Sequence, residues 1–199
     1  MAFTRPQGAH MTKSKNQIIT YTGVYMDPFQ MTPEQVRILD IAHSLSLISR
    51  ANGHIAHFFS VAQHCINCAR EAECRGLSRR VQLACLLHDA SECYLSDVIR
   101  PVKHRLPGYA EAEDKVTAVI ERALDIADLS EAERRSVREI DDAMLYWEFV
   151  ALAGVEIMDA APFVSMRHDF SFRDMAAVRD EFIALAEALG GARRGFEGS

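Results

Sequence analysis

The chain has 199 residues, 49% hydrophobic and 25% charged, with a net charge of −6. That length fits one domain whose core needs no staples, since chains of ~150 residues or more bury roughly 70% of their unfolded surface. Near-average composition excludes wholesale disorder, and the absence of a fixed-period repeat excludes a solenoid. The acidic balance excludes a protein that coats DNA with clustered Lys and Arg; a nucleotide pocket, which needs only a few cations, stays open.

Residues 1–17 are polar, lack the apolar run of a signal peptide, and read as a flexible N-terminus. Ile18 to Tyr25 is β-branched and aromatic around Gly23, the pattern of a short hairpin or extended segment. Thr32-Pro33-Glu34-Gln35 has the residues of a capped turn. Asp40 opens a helix with Ile41, Leu45 and Ile48 on one face, broken at Asn52-Gly53. Ser60 caps a helix over 61–75, and Ser78 caps another over 79–93. Pro101 and Pro107-Gly108 mark a loop, after which 109–127 is amphipathic. Ser130 and Glu133 form a capping box for 131–153, and a last helix runs from Phe170 to Leu189. Residues 18–190 therefore form a single all-α domain, followed by a flexible tail over 191–199. No run of ~18 apolar residues marks a membrane span. The five cysteines read as reduced cytosolic thiols, which implies a cytoplasmic protein.

His88-Asp89 closes an apolar helical run, Leu83 to Leu87. An unpaired charge there would cost several kcal/mol, roughly, in desolvation. A divalent metal compensates imidazole and carboxylate together, given further ligands from other helices. His64, among inward apolar residues of 61–75, is one candidate; Asp141, after Val137 and Ile140 in 131–153, is the other. Two His and two Asp suit a single Mn, Fe, Co, Ni, Zn or Mg ion. Each residue alone has an ordinary structural reading, as a satisfied buried histidine or a solvated helix charge; together, three of them embedded in apolar sequence, they favour a metal. Asp142 leaves the fourth ligand ambiguous by one residue. Cys65-x-x-Cys68 has the spacing of half a zinc site, but no second pair follows. His43 reads as structural.

The H…HD…D order of His64, His88-Asp89 and Asp141 resembles the HD-domain metal-dependent phosphohydrolases. Arg50, Ser60-Val61-Ala62-Gln63-His64, Leu87-His88-Asp89-Ala90-Ser91-Glu92 through Asp97, and Pro101-Val102-Lys103 are similar to the bacterial 5'-deoxynucleotidase branch. Asp40 to Ser46, Gly53-His54 and Phe58-Phe59-Ser60-Val61 resemble a phage and proteobacterial branch that includes deoxyadenosine triphosphate triphosphohydrolases. The likeness covers about residues 18–150. It implies an HD helical bundle, one divalent metal on His64, His88, Asp89 and Asp141, and hydrolysis of a nucleoside mono- or triphosphate by attack of an activated water. It implies phosphate binding by Arg50, a role near the water for Glu92, and a sugar-contacting or orienting role for Asp97. His54 and Lys103 are further phosphate candidates. His88 and Glu92, four residues apart, would share a helix face. His57 has a loop-surface reading. The expected partner is a small nucleotide, with neither nucleic acid nor membrane, and the chain is expected to be a homo-oligomer. Two other readings stand: an inactive metal-stabilised interaction module, and an HD-type hydrolase of another phosphoester.

Overall fold

The computed structural model describes residues 15–191, almost all helix and irregular chain. Most of the two expected flexible ends, 1–14 and 192–199, lies outside the described residues. Gly191 does not start a loose tail: it is buried, and its N–H donates to the Ala186 carbonyl at 2.8 Å.

The hairpin is two residues per strand, β1 (Ile18–Ile19) antiparallel to β2 (Tyr25–Met26), turning through Gly23 at φ 88°. Asp40 holds it down. Its two carboxylate oxygens accept from the Thr22 N–H at 2.6 Å and the Thr22 hydroxyl at 2.8 Å. Asp40 is therefore buried in a tertiary contact and does not open its helix; α1 (Ile38–Leu47) starts two residues earlier. His43 stacks on Tyr21 with ring centroids 3.6 Å apart. Thr32 to Gln35 is a single 3₁₀ turn with a complete capping box.

Ile48 leaves α1 in extended conformation, and the chain then closes a ten-residue loop on itself. Arg50 N–H donates to Phe59 O at 2.9 Å and Val61 N–H to Ile48 O at 3.0 Å. Inside the loop Ala51 and Asn52 both have φ of 51°, a left-handed pair that turns the chain sharply beside Arg50.

Helix α2 (Val61–Cys74) is capped as expected by Ser60, which accepts from Gln63 N–H at 3.1 Å. It is buried along most of its length and packs on α1, α3 (Arg79–Leu87), α7 (Glu131–Ala153) and α8 (Met175–Leu189). The expected helix over 79–93 is two helices. α3 stops at Leu87, residues 88–91 make tight turns (Ala90 N–H to Leu87 O, Glu92 N–H to Asp89 O), and α4 (Glu92–Leu95) resumes. His88 and Glu92 thus do not share one continuous helix face. Residues 88–91 contain neither Pro nor Gly, and His88, the C-cap of α3, keeps helical angles of φ −61° and ψ −33°.

A short helix, α5 (Arg100–Lys103), occupies part of the expected loop, with Pro101 in its first turn where a missing N–H costs nothing. α6 (Tyr109–Ala123) ends four residues early because Asp125 turns left-handed at φ 60°. α7 has the expected bounds and capping box. α8 begins at Met175, capped by Asp174, not at Phe170. No helix among the described residues is long and apolar enough to cross a membrane.

Between α7 and α8, residues 155–173 form an irregular strap along one polar stripe of α2. Gln63 donates to the carbonyls of Ser171 and Asp169, Asn67 to that of Asp169, and Arg75 to that of Phe163. Glu71 accepts from Ser165 N–H at 2.7 Å and pairs with His168 at 2.9 Å. Residues 63, 67, 71 and 75 recur every four positions, so one helix face replaces the backbone partners that a non-helical chain lacks. Residues 170–173 belong to this strap for that reason.

Candidate metal centre

Three helical segments deliver four donor atoms to one point. His64 comes from the first turn of α2, His88 and Asp89 from the turn after α3, and Asp141 from the middle of α7. The Nε2 atoms of His64 and His88 lie 3.2 Å apart. Asp141 Oδ1 is 3.2 Å from His64 Nε2 and 3.6 Å from His88 Nε2. Asp89 Oδ2 is 3.2 Å from His88 Nε2 and 3.8 Å from His64 Nε2.

The other ring nitrogens decide what these Nε2 atoms present. His64 Nδ1 is 2.5 Å from Glu148 Oε1, an acceptor only, so Nδ1 carries the hydrogen. His88 Nδ1 donates to the Cys85 carbonyl at 2.9 Å. In their neutral forms both imidazoles therefore aim Nε2 lone pairs at each other. Such a contact is repulsive unless a cation, proton or metal, lies between. For bonds of ~2.0–2.2 Å, neighbouring donors sit about 3.0 Å apart around a six-coordinate ion and about 3.4 Å around a tetrahedral one. The contacts of 3.2 and 3.6 Å match an ion of that size, and the 3.8 Å from Asp89 Oδ2 to His64 Nε2 is longer than such an ion sets. A histidine hydrogen-bonded through Nδ1 to a carboxylate or carbonyl is also the usual support of a metal ligand.

Thiols adjoin the same point. Among the described residues, His64, Cys68 and His88 bring donors within 4.8 Å of one another and can hold a metal, as can Cys65, His88 and Asp89. Cys65 meets His88 on the Nδ1 side at 4.0 Å, away from the converging Nε2 atoms, and burial pushes its thiol up. Cys68 Sγ lies 3.6 Å from His64 Nε2. Cys65 thus backs His88, whereas Cys68 adjoins the converging Nε2 atoms and is a further candidate donor at the same point.

Charge accounts for the protonation pattern. Burial opposes protonation of both imidazoles, and Arg50 opposes it at His64, yet the neighbouring groups win: Cys68, Glu148 and Asp141 hold His64, and Asp89, Cys65 and Asp141 hold His88, well above the usual histidine range. Burial likewise pushes Asp89 and Asp141 up, and the histidines, joined by Arg50 at Asp89, hold both below the usual carboxylate range. The cluster is a group of imidazoles, thiols and carboxylates that could hold a metal ion.

Above it opens a cavity of about 360 Å³, lined by Arg50, Asp89, Glu92, Asp97, Arg100, Lys103, Asp141 and Glu148 together with apolar residues of α7 and the 97–101 segment. Arg50 is nearly buried and bridges Asp89 Oδ2 at 3.3 Å and Glu148 Oε2 at 3.4 Å. Glu92 is 3% exposed, and its Oε2 has no hydrogen-bond partner, as is true of Asp97 Oδ2. Burial, then Asp89 and Asp97, push the Glu92 carboxyl up to about 9; burial and Asp89 also raise Asp97. Lys103 Nζ is 2.5 Å from Glu113 and 3.9 Å from Glu92. His54 is exposed and does not line the cavity. His57 is partly covered, with Nε2 buried and unpartnered, so it is not a free surface residue.

The ambiguity at 141 and 142 resolves. Asp141 faces the histidines, whereas Asp142 is half exposed and meets Arg100 at 2.7 Å. Two cavity residues escape the sequence reading. Glu148 follows Asp141 by seven residues, two helical turns, and so returns to the same face of α7; that spacing was a usable signal. Arg100 sits in what reads as a proline-marked loop and carries no such signal.

The chain is 34% identical over 146 residues to the uncharacterized protein RCAP_rcc00048 of Rhodobacter capsulatus, covering 70% of this chain and 74% of that protein. It is 38% identical over 103 residues to the uncharacterized protein YfdR of Escherichia coli strain K12. That match covers 52% of this chain and spans about half, 55%, of YfdR. No family model matches the chain.

Proposed function

The chain belongs to the family of the Rhodobacter capsulatus protein, and we propose that it is an HD-type metal-dependent phosphohydrolase acting on nucleoside or deoxynucleoside mono- or triphosphates. The observation that carries this reading is the convergence of His64 Nε2, His88 Nε2, Asp89 Oδ2 and Asp141 Oδ1 beside a cavity whose walls carry Arg50, Arg100 and Lys103 among carboxylates. A divalent ion held by these four groups supplies Lewis acidity toward a phosphoryl oxygen and makes a water more acidic.

The remaining chemistry belongs to the chain. Arg50 offers a guanidinium beside Asp89, suited to a phosphate oxygen. Glu92 presents an unpartnered buried Oε2 to the cavity, where it holds or accepts a proton at the attacking water. Asp97 Oδ2, also unpartnered, accepts a hydroxyl such as that of a sugar. The apolar wall formed by Leu145, Phe149 and Leu152 is suited to a base or sugar face. An inactive interaction module needs neither the buried unpartnered Glu92 nor the cavity.

The test is metal analysis of the purified protein, followed by a screen of nucleoside mono- and triphosphates with Mn, Co, Mg and Zn. About one divalent ion per chain and release of phosphate, pyrophosphate or triphosphate is the expected result. A protein that takes up no divalent ion overturns the reading.

A further inference from the structure

Asp141 and Asp142 are adjacent carboxylates bound by one guanidinium. Arg100 NH2 donates to Asp141 Oδ2 and NH1 to Asp142 Oδ1, each at 2.7 Å. Asp141 is thereby divided: Oδ1 faces the two histidines and Oδ2 faces Arg100. Resting on the metal site proposed above, we infer that Arg100 is a positioning residue for the metal ligand Asp141, and that Asp142 acts at one remove by holding Arg100.

The Asp141 side chain is about one-fifth exposed on the cavity wall, and among the described residues only Arg100 is bonded to Oδ2. Without that bond the carboxylate can rotate and exchange its oxygens. With it, one oxygen is presented to the two histidines. A single cation so close to a metal would also repel it, which is the opposing effect. Asp142 settles the balance, because its carboxylate is bonded directly to the other arm and neutralises Arg100. The pair is half exposed, so water screens what remains. Orientation is kept and the charge penalty is largely removed. The doublet therefore has a division of labour: adjacent helical side chains point ~100° apart, and a planar fork is the side chain that spans both. A lysine carries the same charge but lacks the paired arms.

The experiment is titration of the metal-free full-length protein with Mn(II) or Co(II), read by calorimetry, for wild type, Arg100→Ala, Arg100→Lys, Asp142→Asn and the double variant Arg100→Ala/Asp142→Asn. Loss of an outer partner of a metal ligand typically costs ~10–100-fold in affinity. Arg100→Ala and Arg100→Lys should both lose affinity in that range. Asp142→Asn should lose less, and the double variant should be no weaker than Arg100→Ala alone. Arg100 is half exposed, so these variants should fold, which circular dichroism checks. Unchanged or tighter binding by Arg100→Ala overturns the inference, as does full affinity in Arg100→Lys, which would make charge alone sufficient. If wild type binds no divalent ion, the metal reading itself falls, a result distinct from either.

Discussion

Helix α2 carries two buried ionisable groups seven residues apart, and their surroundings differ. His64 and Glu71 are both fully covered. Both Glu71 carboxylate oxygens are met, by Arg75 at 2.8 Å, His168 at 2.9 Å and the Ser165 N–H at 2.7 Å, while Nδ1 of His168 is buried without a hydrogen-bond partner. Around His64 the Nδ1 side is equally well met by Glu148, but the Nε2 side faces another nitrogen and two carboxylates. The first cluster fastens the strap to α2; the second gathers buried donors that could hold a metal ion. Satisfied clusters fasten segments together, whereas a convergence of like partners costs stability and persists where something binds.

Four measurements test that contrast. The largest effect is expected of His88→Ala, which removes one of the four donors: metal content and phosphohydrolase activity should both vanish. Full turnover in a metal-free His88→Ala preparation would sink the site. Glu92→Gln should retain the metal and lose ~10²–10⁴-fold in kcat, the typical effect of removing a general base or acid. Metal lost from this variant would instead make Glu92 a ligand. The same variant has a stability signature. The Glu92 carboxyl sits near 9 in the folded chain and at 4.5 as a free side chain. Between those values unfolding releases a proton, so the metal-free wild type should lose stability as pH rises through that window. Glu92→Gln should flatten the loss, and parallel melting curves for the two proteins would contradict it.

Glu71→Gln should leave metal uptake untouched and lower stability by ~1–3 kcal/mol. Burial pushes the Glu71 carboxyl up, but Arg75, the Ser165 N–H and His168 hold it below its usual value. Its contribution is therefore present above about 4.5 and is lost as pH falls through the lower folded value. The variant should show a shallower acid limb in chemical denaturation. The smallest effect is graded: metal must displace the protons that the carboxylates hold on His64 and His88, so affinity should weaken steadily as pH falls. Affinity that is flat across pH 5 to 8 would argue that these rings are not ligands.

The sequence pattern marks the caps of α2 and α7 and the donor positions 64, 88, 89 and 141, because local rules write them: a serine before an apolar run, and polar residues interrupting one. It does not mark the break after Leu87, since residues 88–91 contain neither Pro nor Gly and the apolar period runs on. The His88 and Asp89 side chains there meet partners on α2 and α7, distant in sequence. The strap is hidden for the same reason. Residues 155–173 have no period of their own, and their order comes from the side chains of Gln63, Asn67, Glu71 and Arg75. Arg50 changes meaning as well. The sequence offers it as a helix-end cation or phosphate ligand, while the structure also makes it the bridge between Asp89 and Glu148, so its removal would take a cation from both carboxylates.

The strap has a consequence for hydrogen exchange. Its carbonyls at Phe163, Asp169 and Ser171 accept from side chains, while the amides with described partners inside it are few, chiefly Ser165 on Glu71 and Ser171 on Asp169. A segment fastened through side chains can detach without breaking any helical ladder, which makes it a separate cooperative unit with an opening free energy below that of the bundle. Gln63, one of its fasteners, immediately precedes His64, so each opening uncovers the residue beside the innermost histidine of the site.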